Sequence, residues 1–300
     1  MKRMLVALTA LMLTGVILLA QTRAPEPRKL MGTINEESSW SPDGKWIAFD
    51  SSRPGKTNLY AWRIETRELK RITFGEANDI TPEWSPDGKQ LAFVSDRTGH
   101  NEIFVIDLGG GAPRQVTDDK SDSIHPHWSP DGKRIIYCTA KDNPNQANAP
   151  EGEVYEIYSI KTDGTDAQRL TQDKGVNTYP SYSPDGRQIA FRKMLPGNNS
   201  EVFVMNAEGS DMRNLSNHRA FDGWPRWSPD GTRIVFASNR DGGTDYEIYV
   251  MNADGSRIQR LTNLRGRNTS PKWSPEGKKI SFDHAAQGEC DIFVIDAPSK

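Results

Sequence analysis

The sequence predicts an all-β fold, a six-bladed β-propeller of four-stranded antiparallel blades, on three observations. A decapeptide returns six times, as WSPDGKWIAF, WSPDGKQLAF, WSPDGKRIIY, YSPDGRQIAF, WSPDGTRIVF and WSPEGKKISF. The copies begin at Trp40, Trp84, Trp128, Tyr182, Trp227 and Trp273, with spacings of 44, 44, 54, 45 and 46 residues, one blade of chain each. The first five copies carry four strand signals in the same order, separated by turn residues, and the sixth carries the first three. Composition agrees: 26% charged and 35% hydrophobic residues, with 25 Gly and 19 Pro, suit a turn-rich soluble protein better than a helix bundle. Such meanders cannot bury both faces alone, but set radially each sheet covers its neighbour.

Residues 1–20 stand apart. Lys2 and Arg3 precede an apolar run from Met4 to Ala20, broken only by Thr9, Thr14 and Gly15. That pattern is a signal peptide or an N-terminal anchor, and the run is near the lower limit for spanning a bilayer. Cleavage after Ala20 leaves Leu18 where a small residue is preferred, and Gln21 stands where a lipoprotein has cysteine. Losing residues 1–20 removes two basic and no acidic side chains, so a formal charge of −2 becomes −4. No nucleic-acid partner is implied by that balance. Residues 21–27 read as a linker and 28–300 as the propeller.

Within a repeat, strand A ends at the aromatic residue. The Ser-Pro-Asp-Gly turn follows, with Pro preset in φ, Asp able to bond locally and Gly free to take positive φ, so its aspartates are expected to be structural. Strand B carries Ile47, Leu91, Ile135, Ile189, Ile234 and Ile280 seven places after the aromatic, and strand C carries Tyr60, Phe104, Tyr158, Phe203, Tyr249 and Phe293. Strand D is short, centred on Ile72, Val116, Leu170, Leu215 and Leu261. The sixth copy stops after strand C. Leu30 and Met31 are expected to supply its outer strand, joining both ends of the chain in one blade and sparing an open edge. Alternating directions then put the A–B and C–D turns on one face and the B–C and D–A loops on the other.

The unit W-SPDG-K-IAF, followed by strands such as EIYVM, then ADG, then RLT, resembles the repeat of TolB-type, WD-like propellers, including those attached to some serine peptidases. The resemblance covers about residues 28 to 300. It implies a binding scaffold with a partner in the cell envelope, such as a peptidoglycan-associated lipoprotein. TolB itself carries an α/β domain ahead of its propeller, for which the residues before the first repeat leave no room.

A position that repeats in every blade serves the repeat, so blade-specific departures are better functional clues. The acidic residues opening strand C (Glu102, Glu156, Glu201, Glu247 and Asp291, with Asn58 in the first copy) are expected to bond locally rather than hold a metal. Asn35, Asp79, Ser123, Asn177, Asp222 and Asn268, five before the aromatic, cap turns at the channel mouth or together bind a cation there. Two places later the column is heterogeneous: Glu37, Thr81, His125, Tyr179, Trp224 and Ser270. These should precede strand A and ring one channel opening, where Trp224 beside Arg226, with Tyr179 next door, has the composition of a binding hot spot. Packing against adjacent blades is the competing reading.

His125 and His127 are two apart in one strand, and so on one side, a spacing that can help chelate a metal, although no HExxH or paired CxxC motif supplies further ligands. The remaining histidines, His100, His218 and His284, fall in loops of three blades. Resemblance to pectin-degrading lyases with metal-bearing propellers keeps a divalent-metal site, manganese or zinc, as the alternative. The blade 3 insertion, residues 143–150, extends its B–C loop on the face of His125, as a lid, a partner-contacting finger or a neutral insertion. Export would permit Cys138 and Cys290 to pair, but they fall in strand B of blade 3 and the B–C connection of blade 6, opposite across the ring and beyond disulfide reach, so free thiols are expected. No GxSxG elbow is present, and Gly109–Gly111 lies between strands without a following helix, against nucleophilic catalysis and phosphate loops.

The leading expectation is therefore an exported, monomeric, non-enzymatic scaffold of the periplasm. It holds a protein or peptide partner at Glu37, Thr81, His125, Tyr179, Trp224, Arg226 and Ser270, without a cofactor. Membrane contact is confined to residues 4–20 if they are retained. The alternative is a metal-dependent carbohydrate-active enzyme of the polysaccharide-lyase kind working at the same channel mouth through His125 and His127.

Overall fold

A computed structural model of the protein describes residues 28–29, 35–53, 55–142, 154–197 and 199–299. The segments expected to act as signal and linker, Leu30 and Met31, and the blade 3 insertion lie outside the described residues.

Local turn chemistry sets each blade. Asp43 Oδ1 accepts from Ser41 Oγ at 2.6 Å and from the Lys45 N–H at 3.0 Å, while Ser41 Oγ accepts from the Trp46 N–H at 2.9 Å. Gly44 closes the turn at a φ of 69°. The same bonds recur at Asp87, Asp131, Asp185 and Asp230. These aspartates are structural, as expected.

The turn joins strand A to strand B, and the meander A-B-C-D forms a four-stranded antiparallel sheet in each of six blades. In blade 1 these are Asn35–Trp40, Trp46–Ser51, Asn58–Arg63 and Leu69–Arg71. Strand D lies slightly earlier than expected, ending just before the apolar residue in each of blades 1 to 5. That residue still bonds strand C, as Val116 N–H does to Ile103 O at 2.8 Å. The hydroxyl after it then takes over from the backbone: Thr117 Oγ1 accepts from Ile103 N–H at 2.8 Å and donates to Glu102 Oε2 at 2.6 Å. Thr171, Ser216 and Thr262 make the same double contact with Ile157 and Glu156, Val202 and Glu201, and Ile248 and Glu247. Four of the acidic residues opening strand C therefore clamp their own blades.

The sixth sheet is completed by the start of the chain. Arg28–Lys29 pairs antiparallel with strand C of blade 6, Arg28 opposite Val294 and Lys29 opposite Phe293. The start of the chain thus supplies the outer strand of the last blade, as expected, through Arg28 and Lys29 among the described residues. Cohesion comes from contacts between neighbouring sheets: Ala92, Val94 and Ile103 of blade 2 pack against Trp128, Ile135 and Tyr137 of blade 3. Across the closure, Ile292 of blade 6 packs with Trp40, Phe49 and Tyr60 of blade 1. At about 25 cal/mol per Å² of apolar surface removed from water, such burial is the dominant favourable contribution.

Three placements differ from expectation. His284 lies in strand B of blade 6, Lys279–Ala286, and Cys290 in strand C, Glu289–Asp296, because that hairpin is longer than in most blades. The column of Glu37 and its equivalents lies inside strand A rather than ahead of it. Both cysteines are buried free thiols.

Candidate functional site

Strand A lines the axis, and each copy contains the same irregularity. Pairing with strand B shifts register between Glu36 and Ser39, and at the equivalent point in the other five blades. The residue inside the bulge takes a left-handed conformation: φ is 51° at Glu37, 51° at Thr81, 55° at His125, 54° at Tyr179, 55° at Trp224 and 52° at Ser270. None is glycine, and for β-branched Thr81 this conformation is a genuine outlier. The bulge turns the backbone N–H toward the preceding blade, where Thr81 N–H meets Asp50 Oδ2 at 2.9 Å and Glu37 N–H meets Asp283 Oδ2 at 3.0 Å. Bulges of this kind re-aim side chains, here into the channel.

Two layers result. The upper one, nearer the D–A loops, is formed by the bulge residues together with a strand B column: Asp50, Val94, Cys138, Arg192, Ala237 and Asp283. It divides into halves of opposite character. Around blades 6 and 1, Glu36, Glu37, Asp50 and Asp283 gather, and Ser270 Oγ donates to Glu37 Oε1 at 2.8 Å. Burial, then the neighbouring Glu37, Glu36 and Asp50 charges, push the Asp283 carboxyl well above the usual carboxylate range. Burial does the same to Asp50, with Glu37 and Glu36 adding to it against the Thr81 N–H.

The opposite half is aromatic. His125 stacks on Tyr179 with ring centroids 3.7 Å apart, and Trp224 packs with Tyr179, Phe221 and Tyr246 at 5.5–5.7 Å. Arg192 lies over the Tyr179 and Phe221 rings at 5.1 and 5.4 Å. Trp224 is only 9% exposed, so its ring is a wall within this cluster rather than a protruding anchor.

The lower layer comprises the residues just before each aromatic: Ser39, Glu83, His127, Ser181, Arg226 and Lys272. They surround a cavity of about 250 Å³ that reaches the Ser-Pro-Asp-Gly turns at Pro86, Pro130, Pro184 and Pro229. Arg226 belongs here, not beside Trp224 at the mouth. Glu83 reaches across the axis to Lys272 Nζ at 3.2 Å, with His127 Nε2 at 3.7 Å. Burial opposes its ionisation, but Lys272, His127 and Arg226 outweigh burial and hold Glu83 below the usual carboxylate range. His127 Nδ1 accepts from the Tyr182 N–H at 3.4 Å, which leaves the ring proton on Nε2. Burial, opposed by Glu83 and aided by Arg226 and Lys272, lowers its pKa to about 4, so it is neutral at pH 7.

His125 and His127 thus belong to different layers, because the bulge begins at His125. His125 Nδ1 meets Cys138 Sγ at 3.3 Å, and burial together with Arg192, Arg226 and Lys272 holds the ring well below its usual pKa. Among the described residues no group of three or more His, Cys, Asp or Glu side chains is placed to hold a metal ion. A divalent cation at the two histidines would also face three fixed cations, so the residues present do not fit a metal there.

The column five before the aromatic is buried and tied into its own blade or the preceding one: Asp79 pairs with Arg97 and Asp222 with Arg240, both at 2.8 Å, while Asn35 donates to Asp291 at 2.8 Å. Sequence reasoning passed over the strand B column. Its blade-to-blade variety, three residues after the conserved apolar position of each repeat, was the available signal.

Comparison with known proteins places these features among relatives. A family model described as the TolB beta propeller domain matches residues 18–151 and 193–300. The solved structure of a putative TolB from Agrobacterium tumefaciens is similar at 27% identity and a TM-score of 0.69, over 89% of this chain and 91% of that one. TolB from Acinetobacter baumannii is similar at 24% identity and a TM-score of 0.68, over 83% of this chain and 60% of that one. An oligogalacturonate lyase from Vibrio parahaemolyticus, at 15% identity and a TM-score of 0.65 over 93% and 95% of the two chains, shares the fold. A curated TolB homologue from Chlorobium luteolum is 40% identical over 43 residues, a match spanning 14% of this chain and 10% of the relative.

Proposed function

Because the chain belongs to the TolB β-propeller family, we propose that it is an exported scaffold of the cell envelope that holds a protein or peptide partner at the upper channel mouth. One observation carries this reading. The blade scaffold repeats six times, whereas the bulge residue differs in every blade, its strand B neighbour repeats only as Asp50 and Asp283, and the two columns split into an acidic and an aromatic half. Uniform packing does not require such variety; recognition of an asymmetric partner does. The apolar run Met4–Ala20 supports export, and Glu37, Thr81, His125, Tyr179, Trp224 and Ser270 are the residues expected to meet the partner.

The acidic half favours a segment carrying positive charge. Binding from an envelope extract, followed by titration of the recovered partner against wild type and Glu36→Lys, tests the reading. Glu36 is exposed at the mouth. A loss of tenfold or more in affinity is expected at low salt, and equal binding by the two proteins contradicts the reading. The lyase-like alternative requires stoichiometric metal lost on His125→Ala, which metal analysis of the purified protein checks.

A further inference from the structure

The lower layer holds more positive charge than its neighbours neutralise. Arg226 and Lys272 face one carboxylate, Glu83, with His127 as the nearby imidazole. Arg226 is 9% exposed and Lys272 8%, so water does little to compensate them. Glu83 is committed to Lys272 at 3.2 Å. Among the described residues the Arg226 guanidinium makes one hydrogen bond, from Nη1 to Pro180 O at 3.2 Å, and its buried Nε has no hydrogen-bond partner. An unpaired buried guanidinium N–H costs on the order of 1–3 kcal/mol or more, so natural proteins rarely leave one without a reason. The other five members of this column in the repeat are Ser, Glu, His, Ser and Lys. Arg226 is therefore not a demand of the fold.

We propose that the cavity at the turn face of the channel is a binding site for a carboxylate, with Arg226 as its principal ligand and Lys272 as its second cation. The guanidinium presents donors in a fixed planar fork that matches a carboxylate, which a lone ammonium does not. One added negative charge balances two cations and Glu83. The ring of Trp40, Trp84, Trp128, Tyr182, Trp227 and Trp273 gives the cavity an aromatic wall suited to an apolar or aromatic body behind the carboxylate. The site lies in the other layer from the proposed partner surface, so either assignment can fail without the other.

The same carboxylate chemistry is carried by a free aromatic acid and by the C-terminus of a peptide. Calorimetric titration of the full chain with benzoate, with benzamide as the neutral isostere, and with a short peptide ending in Phe as free acid or amide, separates these sources. Benzoate or the free-acid peptide is expected to bind at least tenfold more tightly than its neutral counterpart. Arg226→Gln is expected to remove that preference. Glu83→Gln, which deletes the internal competitor, is expected to tighten binding several-fold and keeps the test valid if Arg226→Gln does not fold. Equal binding of acid and neutral forms, no binding of either acid, or unchanged or weaker acid binding by Glu83→Gln overturns the proposal.

Discussion

Replacing Thr117 by Val removes one hydroxyl from a side chain of nearly the same shape, and the structure fixes what that costs. Thr117 is 1% exposed and accepts from the Ile103 N–H at 2.8 Å while donating to Glu102 Oε2 at 2.6 Å. The variant leaves a buried backbone donor unpaired, at about 1–3 kcal/mol, and weakens the support of a buried carboxyl by a similar amount. Lys120 N–H at 3.0 Å remains on Glu102 Oε1, so the carboxyl is not wholly abandoned. The expected loss is about 2–4 kcal/mol, read as a lower midpoint in urea at unchanged slope. At about 2–4 °C per kcal/mol for a domain near this size, the melting temperature should fall by roughly 4–16 °C. Thr117→Ser keeps the hydroxyl and should lose far less. A Thr117→Val protein within 0.5 kcal/mol of wild type would refute the idea that these hydroxyls replace strand D backbone in closing each blade.

Three other outcomes follow from the same geometry. Asp283→Asn should raise stability at pH 7. The folded-state pKa of Asp283 is raised, so its contribution is fully present below the unfolded value near 3.8 and is lost as pH rises through the folded one. The gain must vanish below about pH 4, and one that persists there contradicts the burial argument, as denaturation at several pH values will show. Glu276 occupies the turn position where the other five blades have Asp, and Lys279 N–H still bonds Ser274 Oγ at 2.9 Å. Glu276→Asp should restore the missing turn bonds and gain about 0.5–1.5 kcal/mol, whereas Asp131→Ala should lose a similar amount. Trp224→Ala should cost about 3–5 kcal/mol in urea denaturation, since the ring is buried among Tyr179, Phe221 and Tyr246; a cost below 1 kcal/mol would mean the ring faces solvent.

The fold was legible because the same local chemistry is written six times. The Ser-Pro-Asp-Gly turn satisfies its bonds inside one blade, and the aromatic ending strand A recurs beside it, so spacing alone reveals both. The closure was legible too, because a missing strand must come from somewhere, although its register was not. Arg28–Lys29 pairs with the last blade just ahead of an apolar position in the sequence, as strand D does in each of blades 1 to 5.

The channel was harder to read. His125 and His127 are two apart and should share a side, but the bulge at His125 breaks that alternation, and no residue type announces a bulge filled by Glu, Thr, His, Tyr, Trp and Ser. Lys272 and Glu83 meet only because blades distant in sequence face one axis. For the same reason the pairing of Asp283 with the Glu37 N–H, at 3.0 Å between the last blade and the first, has no counterpart in sequence spacing.

The strand that locks the ring offers the most direct check. Amide hydrogen exchange over Glu289–Asp296 should show strong protection in the native chain and a marked loss of it when Arg28 and Lys29 are both replaced by proline, which cannot donate to the ladder. Unchanged protection of that strand would mean the ring is not closed by the start of the chain, and the layers derived from its closure would fall with it.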